Sequence, residues 1–153
     1  MMISAALLAL ITAAASGAEP GPVAHWDFDE GKGEVLHDRS GNGNHGSIHG
    51  ATWVKSGSGY ALSFDGVDDY VDCGTDPSLD ITGPITLQAF FQPTAAHRGE
   101  PGIVASLLQS YVISYYRGSA YFYVSSGGNK AHVPTKIAQW LHVAPTFRRD
   151  DHA

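Results

Sequence analysis

The chain has 153 residues, 15 Asp and Glu against 9 Lys and Arg, a formal net charge of −6 and one cysteine. Such a length holds one domain beside a short terminal segment. Few and scattered basic residues exclude a nucleic-acid binder, whose affinity rests on neutralising phosphates, and one cysteine excludes an intrachain disulfide framework.

Met1 to Ala18 carry no charged side chain, and Ala5-Ala6-Leu7-Leu8-Ala9-Leu10-Ile11 is an unbroken apolar run. Ser16 and Ala18 match the small-residue spacing that a signal peptidase reads, although the start lacks the usual Lys or Arg. The run is too short to cross a bilayer, which takes about 20 apolar residues. Residues 1–18 therefore read as an export signal cleaved after Ala18, with 19–153 as the mature unit and no membrane span in it. A buried amino-terminal helix is the alternative, since Ala-rich segments also form helices.

Past the leader no stretch keeps a helical period. Ala24, Trp26 and Phe28 alternate with His25, Asp27 and Asp29, which predicts a first strand with one apolar face. Asp38-Arg39-Ser40-Gly41-Asn42-Gly43-Asn44-His45-Gly46 is too rich in turn-forming residues for helix or strand to run through it. Strands are predicted over Ile48–Val54 and Tyr60–Phe64, joined through Ser56-Gly57-Ser58-Gly59. Asp65-Gly66 signals a hairpin or bulge leading into Tyr70–Cys73. Cys73, at a strand end, behaves as a small half-buried hydrophobe, with an intermolecular bridge as the alternative.

Asp76-Pro77-Ser78-Leu79-Asp80 predicts a single helical turn with Pro at its start. Ile85, Leu87, Ala89 and Phe91 then alternate with Thr86, Gln88, Phe90 and Gln92 in the longest predicted strand. Gly102–Leu108, Tyr111–Tyr116, Ala120–Ser125 and Trp140–Thr146 complete the strands, with Arg117-Gly118-Ser119 as a hairpin turn. Short strands with turn signals between them make the chain all-β, a sandwich or a barrel.

Three groups of residues invite a chemical reading. Asp38, Asn42, Asn44, Asp65, Asp68 and Asp69 form an oxygen-rich loop set, and calcium takes 6–8 oxygen ligands from such loops. Asp38, Asn42, Asp65 and Asp68 are the metal candidates; the alternative is that they are there for turn conformation and Asx hydrogen bonds. His37, His45 and His49 do not make a zinc set, because Gly46 and Gly50 interrupt any helix that would align them. Five of the seven tyrosines fall between Tyr111 and Tyr123. Tyr115, Tyr121 and Tyr123 are the ligand candidates, since aromatic rings stack on sugars and the hydroxyl adds a hydrogen bond. Core packing is the competing reading, because one side of each strand must be buried. No Gly-rich phosphate loop precedes a helix, and no Gly-x-Ser-x-Gly occurs.

Six motifs occur in a fixed order: Trp26-Asp27-Phe28-Asp29-Glu30-Gly31; Asp38 to Gly46; Ala51-Thr52-Trp53-Val54; Ala61-Leu62-Ser63-Phe64-Asp65-Gly66-Val67-Asp68-Asp69-Tyr70-Val71; Ile85-Thr86-Leu87-Gln88-Ala89-Phe90; Trp140-Leu141-His142-Val143-Ala144. Over Val23 to Ala144 this series resembles the LamG-like jelly-roll family of the concanavalin A-like lectin/glucanase fold. The resemblance implies two antiparallel sheets facing each other, in secreted and often multidomain proteins of bacterial envelopes. Phe90 stands where the family usually has Trp. Pro145 and the residues after it depart from the family's closing strands, so the jelly roll is expected to be incomplete at its C-terminus.

Glucanases of this fold carry paired carboxylates on one strand face, and Asp27 and Asp29 share a face. Their strand opens the domain at an edge and no second Glu joins them, so a solvated strand face is the reading adopted. The expectation is a secreted or cell-envelope, non-catalytic module that binds glycan or another extracellular macromolecule, with calcium as the one cofactor in question. The alternatives are an accessory or remnant segment of a concanavalin A-like glycoside hydrolase, or a structural spacer or adhesion domain.

Overall fold

Alternating apolar and polar residues, punctuated by Gly and Asx turns, build short strands throughout the computed structural model, which describes residues 3–6, 11–12, 21–81, 83–94, 102–107, 111–124 and 129–148. In chain order these are β1 (Ile3–Ala6), β2 (Ile11–Thr12), β3 (Pro22–Ala24), β4 (Val35–Leu36), β5 (Gly46–His49), β6 (Thr52–Ser56), β7 (Gly59–Phe64) and β8 (Tyr70–Asp72). There follow β9 (Ile85–Thr86), β10 (Ala89–Pro93), β11 (Gly102–Leu107), β12 (Tyr111–Tyr116), β13 (Ser119–Val124), β14 (Asn129–Pro134), β15 (Leu141–Val143) and β16 (Thr146–Phe147). A 3-10 turn, Pro77–Leu79, is capped by Asp76, whose Oδ1 accepts from the Ser78 N–H at 2.9 Å. Among the described residues no helix is long and apolar enough to cross a membrane.

The strands pair antiparallel in several sheets, ordered β15-β10-β1-β7-β6, β16-β9-β2-β3, β4-β5-β8 and β11-β12-β13-β14. The fold is all-β and sandwich-like. One buried cluster joins the layers, taking Ala24 from β3, Leu36 from β4, Leu62 from β7, Phe91 from β10 and Phe122 from β13. Phe91 and Tyr115 meet edge to face at 6.4 Å between centroids, which ties the five-stranded sheet to β12. Trp26 and Phe28 are buried, but the predicted strand through Asp29 does not form: β3 ends at Ala24, Trp26 makes only an isolated bridge to Asp38, and Phe28 at φ +59° breaks the strand alternation. Trp26 also donates its indole N–H to the carbonyl of the buried Asn44 at 2.8 Å, tying the core to the Gly/Asn loop.

Several predicted elements form differently. The Ile85–Phe91 strand keeps its two-residue side-chain period through Pro93, but its hydrogen-bond partners change midway. β9 pairs with β16 and β2, whereas β10 pairs with β15 and β1. The change falls where the Leu87 N–H donates to the Pro145 carbonyl at 3.0 Å. Pro145 lacks an N–H, which divides the predicted Trp140–Thr146 strand into β15 and β16. Gly50, at φ +77°, likewise separates β5 from β6, and a Cβ there would run into the Asp69 carboxylate. Asp65-Gly66 makes no hairpin, because β7 pairs with β6 and β1 while β8 pairs with β5. Within residues 1–18, Ile3–Ala6 and Ile11–Thr12 form strands rather than the alternative helix.

Tyr115 is fully buried, and its hydroxyl has no hydrogen-bond partner among the described residues. An unpaired buried hydroxyl costs about 1–3 kcal/mol, so removing it without changing the ring relieves that cost. Tyr115→Phe is expected to match the parent or exceed it by about 1 kcal/mol in chemical denaturation. A loss of similar size would show instead that the hydroxyl is bonded.

Candidate functional site

The β12–β13 hairpin positions the tyrosines. Arg117 and Gly118 form its two-residue turn at φ +48° and +81°, the type I′ geometry that suits the twist of paired strands. The Arg117 guanidinium lies over the Tyr116 ring at 5.0 Å, holding that end of the hairpin. The register runs from Tyr116↔Ser119 to Tyr111↔Val124 without a shift.

Alternation along β13 then decides which rings face solvent. Ala120, Phe122 and Val124 are buried, while Ser119, Tyr121 and Tyr123 lie half-buried on the opposite face. Tyr121 and Tyr123 are near-parallel, with ring centroids 6.0 Å apart and planes 16° apart. On β14 the exposed His132 pairs in register with Tyr121, and its ring lies 5.5 Å away at 22°. Ser114, the cross-strand partner of Tyr121 on β12, lies beside it on the same face and is small and buried. The result is a row of three aromatic rings on the outward face of one sheet.

Tyr115, predicted with Tyr121 and Tyr123 as a ligand contact, is corrected to a core residue. It shares its face with Ile113 and Tyr111 and is closed off from solvent. His132 was missed because the short polar β14, Asn-Lys-Ala-His-Val-Pro, lacks the β-branched and aromatic run that marks a strand. Its signal is only the cross-strand register.

A second aromatic group sits on the five-stranded sheet. Phe90 and Trp140 stack plane on plane at 4.9 Å and 6°, with His142 6.5 Å from Phe90. Each of these two rings covers one face of the other, which leaves less ring surface for a ligand.

The predicted metal set is divided between two loops. Asp65 and Asp68 come together with Asp69, their ligand atoms all within 4.8 Å of one another. Asp65 Oδ1 accepts the Val67 N–H at 2.8 Å, and Asp69 Oδ2 accepts the Asp65 N–H at 2.7 Å. The Val67 N–H foremost, helped by that of Asp68, holds the Asp65 carboxyl below the ordinary carboxylate range. Three carboxylates this close offer oxygen ligands suited to a hard cation such as calcium.

Asp38 and Asn42 do not join them; their polar atoms are engaged in organising the Gly/Asn loop. Asp38 Oδ1 accepts from the His25 N–H at 2.9 Å and the Ser40 N–H at 2.8 Å. Its Oδ2 accepts from the Ser40 hydroxyl at 2.7 Å and the Asn44 N–H at 3.0 Å. Asn42 Nδ2 donates to the Val23 carbonyl at 2.9 Å, pinning the loop to β3. Burial pushes the Asp38 carboxyl upward, but the hydrogen bonds from Ser40, His25 and Asn44 together outweigh it and hold the group below its ordinary value.

Asp27 and Asp29 differ in surroundings. Asp27 Oδ2 accepts from Arg39 Nε at 3.1 Å, and Arg39 Nη2 also reaches Glu30 Oε1 at 3.5 Å. Glu30 Oε1 takes the His37 N–H at 3.0 Å as well. These carboxylates brace the loop that follows Phe28, which itself sits at φ +59°. His45 Nδ1 accepts the Asp38 N–H at 3.0 Å, and His49 stacks on Tyr70 at 4.6 Å, so both have structural partners. Burial pushes the Cys73 thiol up to about 12, which keeps it protonated and unreactive at neutral pH.

No protein-family model, no curated protein and no solved structure matches the chain.

Proposed function

We propose that the chain is an exported, non-catalytic β-sandwich module of the LamG-like jelly-roll kind that binds carbohydrate on the outward face of β13 and β14. The observation carrying this reading is the group Tyr123, Tyr121 and His132, near-parallel on one sheet face, with the tyrosines half-buried and His132 exposed. Sugar rings present flat C–H faces that stack on such aromatics, while the phenol and imidazole edges offer hydrogen bonds to hydroxyls. A net charge of −6 favours neutral glycans over uronate or sulfate polymers. Calcium, in this reading, acts at Asp65, Asp68 and Asp69 as a loop stabiliser away from the aromatic row. The uncharged apolar leader is the basis for placing the module outside the cytoplasm, in the medium or the cell envelope.

Calorimetric titration against a panel of neutral polysaccharides tests the proposal. Tyr121→Ala and Tyr123→Ala should each weaken binding by about tenfold, as expected for a stacking contact worth about 1.4 kcal/mol. Phe90→Ala, at the other aromatic group, should leave affinity unchanged. A parent protein that binds none of the panel, or a Tyr121/Tyr123 double variant that binds like the parent, would remove the carbohydrate reading.

A further inference from the structure

In the five-stranded sheet, β7 and β10 are not paired with each other. Each instead pairs with β1, and their outer edges are taken by β6 and β15. The gap between them is one strand wide, lined on both sides by backbone N–H and C=O groups. β1 fills it antiparallel to both flanks: Ile3 stands opposite Phe64 and Pro93, Ser4 opposite Ser63 and Gln92, and Ala5 opposite Leu62 and Phe91. Leu62 and Phe91 are fully buried, so the gap lies over the core and not at a sheet margin. The strand filling it belongs to the same uncharged residues 1–18 that read as an export signal.

We propose that the space between β7 and β10 is a strand-acceptor site, occupied in cis by residues 3–6. In trans it accepts an uncharged extended segment with a small residue opposite Leu62 and Phe91. When β1 leaves, the facing backbone groups of β7 and β10 lose their partners and become a template for strand addition, and main-chain pairing on both sides supplies the attraction. The position beside two core side chains excludes a charge. Pairing on both edges excludes proline, which has no N–H to give to the ladder. The inference rests on the export reading only for what empties the site: cleavage after Ala18 removes β1.

The test uses the full chain and, as probe, a synthetic peptide of residues 1–8 carrying two carboxy-terminal lysines for solubility. Ala5→Pro in the full chain should lower the melting temperature, and the peptide should restore it together with exchange protection of the β7 and β10 amides. The parent chain, its site filled, should bind the same peptide at least about tenfold more weakly. A peptide with proline at the position of Ala5 should bind neither. If Ala5→Pro does not fold alone, refolding it with the peptide present should yield folded protein, and failure to do so counts against the site. An Ala5→Pro chain that melts like the parent overturns the proposal. So does a parent whose β1 amides exchange freely while those facing them in β7 and β10 stay protected. Exported protein that retains Met1 would refute the leader reading alone and leave the acceptor site standing.

Discussion

Phe91→Ala is expected to lower the stability of the protein by about 3–5 kcal/mol, measured by chemical denaturation. Phe91 is fully buried, and its ring is the edge-to-face partner of Tyr115 across the two layers. Truncation removes the transfer free energy of the ring and leaves a cavity that neighbours on two sheets cannot both move to fill. Because such domains are stable by only about 5–15 kcal/mol, a loss of this size is a large part of the total. An unchanged denaturant dependence with a lower midpoint would place the whole effect in the folded state. A loss below about 1 kcal/mol would show that the sheets do not share a core at this point.

Asp38→Ala is expected to cost about 3 kcal/mol, the upper end for a hydrogen bond to a charged group. The carboxylate serves four donors on three residues, so its removal strands the buried Asn44 N–H and unties His25 from the Gly/Asn loop. The losses are not additive, because the loop that Asp38 holds can relax once it is gone. Its pH dependence follows from the sign of the shift. The folded-state pKa lies below 3.8, so the contribution is present above that value and is lost as pH falls through the folded pKa. Asp38→Asn should remove that part of the acid sensitivity, and thermal melts of both proteins from pH 6 to pH 2 compare the two directly. Parallel melting curves across that range would show that another carboxylate governs acid unfolding.

Much of the candidate site could be read before the fold was known. The alternation along β13 already places Tyr121 and Tyr123 on one face, because successive side chains of a strand point to opposite sides. Tyr115 was misplaced because β12 also carries an apolar or aromatic residue on each face, Ile113 beside Tyr115 and Val112 beside Tyr116. Either side could have been the core by composition. His132 was invisible for the opposite reason: nothing in Asn129–Pro134 marks a strand until β13 supplies its partner. Asp38 and Asp65 look alike as loop carboxylates, and only their donors distinguish them. One faces a buried ring of N–H and O–H groups, the other an exposed turn with two further carboxylates.

What the sequence determined by itself is local. The turns at Gly57-Ser58 and Arg117-Gly118, the capped turn at Pro77 and the two-residue period of β10 and β13 follow from φ preferences and side-chain geometry within a few residues. Apart from the two hairpins those turns join, β6 with β7 and β12 with β13, the tertiary structure decided which strand lies beside which. The continuous apolar alternation from Ile85 to Phe91 is shared between two sheets, Asp65-Gly66 joins strands that never pair, and Ile3–Ala6 enters between β7 and β10. The physical reason is that backbone hydrogen bonds are the same for nearly every residue. A strand's pattern can therefore say which of its faces is apolar, but its partner is selected by how the apolar faces of all the strands fill one core.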